Sequence, residues 1–348
     1  MVEIDPQFLG ELRENGYSSF LISDSGKFAG TRKMFTEAPS PIFHVHSWKY
    51  ETTLRLLRKL SSMVRPEEAE RVNVQFEHPD LKEYIPAATT TTMRSGMQMI
   101  KPGQFAPEHR HTARSFRLVL EGPEDGAYTN AAGYDLPLRK GDIILNPADV
   151  WHSHRNESEK EVIWFNGMDV IMAYWLGGIF YSDSKRTRIE PRIPADVNIN
   201  NWGKLGVNYF GKNPNAEGIL YYPREYTIEA VIEASEQNPE NCETVRKLLD
   251  PSTSGSLYPT LEVKFWHLPG LTESSIYKRT ENIVFLVYSG SGVFSSPSGN
   301  FQLGKYDVIA VPSWTEYHWV NRNSEPLILL SYSDAPIFRA SGWYREEK

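Results

Sequence analysis

Four of the chain's nine histidines fall within 46 residues: His109, His111, His152 and His154. A neutral imidazole is the commonest metal ligand and suits iron, copper, zinc and nickel. His109 and His111 are one residue apart, and residues i and i+2 of a strand point to the same face. Both rings can therefore enter one barrel together. His152 follows a turn signal, Asn146-Pro147-Ala148-Asp149, and opens a further strand. His154 comes two residues later and can share its face. A separate tract, His44-Val45-His46, precedes a helical pattern, and no repeat supplies it with a third ligand. It reads as surface or hydrogen-bonded histidine.

The elements that must hold these residues are short strands. From about Thr89, apolar stretches alternate with turn signals every ~8 to 12 residues, the pattern of a sandwich or barrel. Met97-Gln98-Met99-Ile100 runs into Lys101-Pro102-Gly103, and Ile143-Ile144-Leu145 runs into Asn146-Pro147. The pattern lapses over residues 186–255, a proline-punctuated connection with one helix expected over Thr227–Gln237, and returns from Leu261. Laying Gly122 on Gly290 and Pro147 on Pro312 brings the halves into register, so the chain reads as an internal duplication. In that register Tyr277 and Arg279 replace His109 and His111, Tyr317 replaces His152, and His318 is offset by one residue, which turns a strand side chain to the other face. The second barrel is expected to be metal-free. Before residue 86, leucines at 56, 57 and 60 with Met63 read as a helical arm.

Bulk properties exclude several classes. A net charge of -7 leaves no excess of cations to neutralise phosphates, so nucleic acid is not an expected partner. The single cysteine, Cys242, cannot form an intrachain disulfide. The N-terminus lacks the basic and apolar regions of a signal peptide. The longest apolar run, Val170–Tyr181, is short of the roughly 20 residues of a membrane span, and it is expected to be a buried core segment. A cytoplasmic protein without membrane contact is expected.

The frame around the histidines resembles the cupin family. Gly103, His109, His111 and Gly122 fit the first cupin motif, and Gly141, Pro147, His152 and Asn156 fit the second, with Asp149 in a glycine position. The resemblance implies that His109, His111 and His152 are the metal ligands. The usual cupin glutamate ligand falls at Ser115, which implies a three-histidine site and disfavours cupins that use three histidines and a glutamate. Three neutral ligands on an octahedral Fe(2+) leave positions for a bidentate substrate and O2.

Within the cupins the chain resembles the gentisate, salicylate and 1-hydroxy-2-naphthoate ring-cleaving dioxygenases. The stretches that carry this include Gly96-Met97-Gln98, Ala106 to Thr112, Arg117, Pro147 to His154, and Trp164 to Asp169, with Val311 to Trp314 and Ser331 to Asp334 in the second half. The family implies an all-β bicupin of two jelly-roll barrels: a helical arm over 1–85, a metal-binding cupin over 86–185, the connection over 186–255, and a second cupin over 256–348. It implies an iron cofactor, a 2-hydroxybenzoate-type substrate with O2, cleavage between the carboxyl- and hydroxyl-bearing carbons, and a homo-oligomer, a tetramer by resemblance.

Arg117, His154 and Gln98 match the family's positions around the ligands. Arg117 is placed to bind the substrate carboxylate and His154 to move protons. Two positions depart from the family. Arg94 stands where an aromatic residue is usual, and Asn166 where an aspartate is usual. Both fall at the family's substrate pocket, so a salicylate with an acceptor-rich ring substituent, such as 5-nitrosalicylate, is expected close behind gentisate. Another metal-cupin enzyme, such as an isomerase or flavonol-type oxygenase, and a non-catalytic binding cupin are the competing readings.

Overall fold

The computed structural model describes residues 5–18, 36–69, 72–184, 193–194, 218–251 and 253–347. Two compact units divide the chain, Met1–Pro41 and Ile42–Lys348. In the first, helix α1 (Pro6–Glu14) opens with proline in its first turn, and the Asp5 side chain accepts from the Gln7 amide at 2.9 Å.

The second unit is two antiparallel barrels. It begins with β1 (His46–Trp48), α2 (Tyr50–Met63), the short α3 (Pro66–Ala69) and β2 (Val72–Gln75). The first barrel follows: β3 (Arg94–Ile100), β4 (Phe105–His111), β5 (Ser115–Glu121), β6 (Ala127–Ala131), β7 (Tyr134–Pro137), β8 (Ile143–Asn146), β9 (His152–Asn156) and β10 (Val162–Met168). Then come α4 (Val170–Trp175), β11 (Tyr181–Asp183), β12 (Ile193–Pro194), β13 (Tyr221–Tyr222) and α5 (Ile228–Glu236). The second barrel holds β14 (Thr244–Asp250), β15 (Gly255–Ser256), β16 (Glu262–Leu268), β17 (Thr272–Glu273), β18 (Tyr277–Arg279), β19 (Ile283–Ser289), β20 (Gly292–Ser296), β21 (Gly299–Leu303), β22 (Val308–Val311), β23 (Glu316–Asn321) and β24 (Leu327–Ser333). The chain ends with α6 (Ala335–Ala340) and β25 (Glu346–Glu347). Of the connection expected over 186–255, residues 186–192, 195–217 and 252 lie outside the described residues.

The duplication read from the sequence is visible in the strand order. One sheet of the first barrel runs β13-β8-β5-β10-β3-β2, and its counterpart runs β1-β22-β19-β24-β16-β14-β15. The other sheets carry β4-β9-β6-β7 and, matching them, β18-β23-β20-β21. Edge strands cross over between halves. β1 precedes the first barrel yet pairs with β22 of the second, whereas β13 pairs with β8 of the first. The stretch before residue 86 thus supplies strands as well as helices.

Alternation explains why the strands read as nearly continuous apolar runs. On β3, Met97 and Met99 join a core shared between the barrels with Phe165, Phe265, Leu330 and Tyr332. Ile100 faces the first barrel's interior with Val119, Ile144, Val162 and Trp164. Both faces are buried, so polar residues at inward positions stand out.

The apolar run Val170–Tyr181 corrects an expectation. Ile171 is buried, but Tyr174, Trp175, Leu176, Ile179, Phe180 and Tyr181 are exposed. The short helix α4 buries one side, and the turn after it lies along the sheet edge. Run length alone does not say which faces find a partner. Among the described residues, no helix is long and apolar enough to cross a membrane.

Candidate metal centre

β4 and β9 are neighbours in the sheet, and their register sets His109 opposite His152. A register shift between Ala106 and His109 accommodates the Pro107-Glu108 step. His109, His111 and His152 are all buried, and one ring nitrogen of each lies within 4.8 Å of the others. The ring centroids are 4.3 Å apart for His109–His152, 5.0 Å for His111–His152 and 5.7 Å for His109–His111.

Each ring is held from behind in the same way. Nδ1 of His109 lies 2.9 Å from the Pro107 carbonyl, that of His111 2.8 Å from the Ala113 carbonyl, and that of His152 2.9 Å from the Val150 carbonyl. A carbonyl only accepts, so each Nδ1 carries the proton and each Nε2 keeps its lone pair. This is the arrangement of metal-bound histidines, whose second nitrogen is fixed by an outer partner. Nε2 of His152 is buried with no hydrogen-bond partner. Burial, followed by the neighbouring His109 and His111, pushes the His152 pKa well below the ordinary imidazole value, which favours the neutral form.

The turn before β9 contributes too. Asp149, in the glycine position of the motif, adopts φ +60°, a conformation open to aspartate at modest cost. Its amide donates to the His111 carbonyl at 2.9 Å and ties the end of β4 to the turn before β9. Ser115 is buried at the start of β5, and the cluster of candidate ligands contains no carboxylate. The donor set is three neutral imidazoles, which suits a divalent iron, copper, zinc or nickel ion.

The remaining predicted residues fall on β3, β5, β9 and β10. Register places Gln98 opposite Trp164, which faces Val119, and Asn166 opposite both Gly96 and Arg117. Arg117 is buried, donates to Asn146 Oδ1, and holds its guanidinium 5.9 Å from the Trp164 ring centroid. His154 is buried 5.3 Å from the Trp164 ring and 6.0 Å from His152, with Nδ1 2.8 Å from Thr129 Oγ1. Asn166 Oδ1 is buried without a hydrogen-bond partner. Arg94 shares the inward row, but its Nε and Nη2 donate to the carbonyls of Ala87 and Pro86, both at 3.0 Å. Its guanidinium is anchored to that turn.

One neighbour was not legible in the sequence. Tyr181 on β11 stacks on His109 at 5.8 Å and 24°. It sits inside the apolar run, with no motif to mark it. The tract His44-Val45-His46 is otherwise engaged. His44 Nδ1 contacts Asp80 at 2.9 Å, and His78 bonds the His44 carbonyl at 2.9 Å.

The matching place in the second barrel is filled by other chemistry. Tyr277 lies opposite Tyr317 in register, their rings stacked at 5.6 Å, with the Arg279 guanidinium 4.3 Å above Tyr277. Trp266 and Phe285 take the places of Gln98 and Arg117.

The Cupin domain family matches residues 96–171. The chain is 26% identical over 304 residues to a 5-aminosalicylate 1,2-dioxygenase of Comamonas sp, covering 86% of this chain and 80% of the relative. It is 29% identical over 322 residues to gentisate 1,2 dioxygenase 1 of Aquipseudomonas alcaligenes, covering 91% and 90%. A crystal structure of a salicylate 1,2-dioxygenase from Pseudaminobacter salicylatoxidans superposes with a TM-score of 0.84 at 25% identity, covering 99% of each chain. Sequence and fold together make the chain a bicupin of the ring-cleaving dioxygenase type, related to the gentisate, salicylate and 1-hydroxy-2-naphthoate 1,2-dioxygenases.

Proposed function

We propose that the chain is an iron-dependent dioxygenase that opens the ring of a 2-hydroxybenzoate, cleaving between the carboxyl- and hydroxyl-bearing carbons with O2. The observation that carries this is the three-histidine cluster, with every Nδ1 committed to a carbonyl and no carboxylate among the donors. Bound Fe(II) would supply the activation of O2, which spin-paired organic substrates do not achieve unaided.

The protein's own groups then bind and orient. Arg117 lies directly opposite Asn166 on β5, and its fixed charge suits the substrate carboxylate. Asn146 and the Trp164 face hold the guanidinium in place. His154 holds or moves the phenolic proton, with Thr129 orienting its ring. Gln98 and Asn166 offer neutral hydrogen-bonding groups to the ring substituents. Gentisate leads as substrate, with 5-substituted salicylates such as 5-nitrosalicylate behind it. Arg94, tied to Pro86 and Ala87, acts on such a substituent through its charge. The exposed apolar residues from Tyr174 to Tyr181 support a homo-oligomer in which they are covered.

The test is O2 uptake by the Fe(II)-loaded protein with gentisate, salicylate, 5-nitrosalicylate and 1-hydroxy-2-naphthoate. Equimolar loss of O2 and substrate, with a product heavier by both oxygen atoms, is expected for at least one. Full iron loading without O2 uptake on any of them overturns the reading.

A further inference from the structure

The two barrels clasp each other through a repeated contact. Asp334, just after β24, accepts from Thr92 Oγ1 at 2.6 Å and from the Asn282 amide at 2.8 Å. Asp169, just after β10, accepts from Thr260 Oγ1 at 2.6 Å and from the Arg114 amide at 2.8 Å. Laying Pro147 on Pro312 pairs the two aspartates, and laying Gly122 on Gly290 pairs the two threonines. Each barrel thus reaches into the other in the same manner. A contact present on both sides serves the joint itself.

A further contact between the barrels has no counterpart in the other half. The Tyr332 hydroxyl bonds Ser95 Oγ and donates to the Arg94 carbonyl at 3.3 Å. In the other half the matching residues are Gly167 and Val263, and neither carries a hydroxyl. Gly167 also makes room for the ring: a Cβ there would lie 3.0 Å from Tyr332 Cε2. The extra grip exists only on the side of the barrel that holds the three histidines. It falls on β3, whose Ser95, Met97 and Met99 face the second barrel while Arg94, Gly96 and Gln98 face inward. Ser95 is held at its amide as well, by Thr89 Oγ1 at 2.7 Å. Fixing Ser95 on one face sets the placement of the inward row on the other.

We propose that Tyr332 of the second barrel is a positioning residue for the substrate side of the first, holding Arg94 and Ser95 so that Gln98 and Arg94 stand at fixed places beside the metal centre. The inference rests on the reading that these residues line the substrate site. It gives the second barrel a part in substrate binding that needs no ligand of its own. The matching joint, with Gly167 and Val263, is made without such a contact.

Three variants of the whole, iron-loaded chain test it: Tyr332→Phe, Ser95→Ala, and Thr260→Val as a control on the symmetric clasp. Loss of one buried hydrogen bond to the strand should raise KM for the best substrate roughly three- to tenfold, with kcat within about twofold. Ser95→Ala should do the same, and the double variant should add little, since both act through one contact. Amide exchange over residues 94–100 should quicken in both, with 105–111 and 152–156 unchanged. Thr260→Val should lower stability without moving KM. The proposal is overturned if Tyr332→Phe leaves both KM and exchange over 94–100 at the wild-type level, or if Thr260→Val raises KM as much. A wild-type protein inert to every substrate would end the functional reading alone, and the exchange comparison would still decide the positioning.

Discussion

His152 and His154 lie two residues apart on one strand and meet different partners. His152 has its Nδ1 proton on a carbonyl and a buried Nε2 with no protein partner, whereas His154 meets a hydroxyl, Thr129 Oγ1, which can give or accept a proton. Elemental analysis should therefore find one iron per chain in the wild type and very little in His152→Ala, with turnover lost alongside it. His154→Ala should keep its iron and lose rate by roughly 100- to 10,000-fold, the usual reach of general acid–base catalysis. Loss of iron from the His154 variant would make that histidine a ligand and overturn its separate role.

At the scale of elements, the strands answer to two environments at once. β10 turns Trp164 and Asn166 inward and presents Phe165 and Gly167 to the neighbouring barrel. The tight spot is Gly167, where an added Cβ would come 2.4 Å from Phe116 Cε1. Overpacking of this kind costs about 1–3 kcal/mol. Gly167→Ala should lower the urea midpoint accordingly, while the iron content of the folded fraction stays at the wild-type value. A second test concerns the clasp. Burial raises the Asp334 pKa to about 6, against the opposing pull of hydrogen bonds from Thr92 and Asn282. A carboxyl with a raised folded-state pKa contributes stability that is full below its unfolded value and is lost as pH climbs through about 6. Asp334→Asn does not titrate. Between pH 5 and 7.5 the stability difference should shift by on the order of 1 kcal/mol in favour of the asparagine variant, read from urea unfolding at both pH values. A difference independent of pH would mean that Asp334 is ionised throughout.

For the molecule as a whole, the crossed edge strands and the shared core make the two barrels one folding unit. β1 precedes the first barrel in sequence and pairs with the second, and β13, from the connection, pairs back with the first. Such a unit should melt in one transition. It leaves exposed the apolar segment at the end of α4 and beyond it, where Trp175 and Leu176 are 57% and 74% exposed. Light scattering should give a mass of more than one 39.8 kDa chain, and Trp175→Glu with Leu176→Glu should reduce it. A wild-type protein that runs as a monomer at micromolar concentration would contradict the oligomer.

The sequence by itself determined the duplication and the turns between strands, because glycine and proline at repeated spacing mark them, and the resemblance to the cupin motifs singled out the three histidines that the structure brings together. His109, His111 and His152 could be named from spacing within a motif, as could the tyrosines that replace two of them in the second barrel. Other features depended on contacts between residues far apart in the chain. The run Val170–Tyr181 looked like core, since hydrophobicity measures a preference for burial and not the presence of a partner. Arg94 looked open to the substrate, yet its donors go to Pro86 and Ala87, carbonyls of a turn that no periodicity places beside it. Tyr181 reached His109, and Tyr332 reached Ser95, only through pairings that cross between strands and between barrels. Such pairings depend on the packing of whole sheets, and only the tertiary structure decided them.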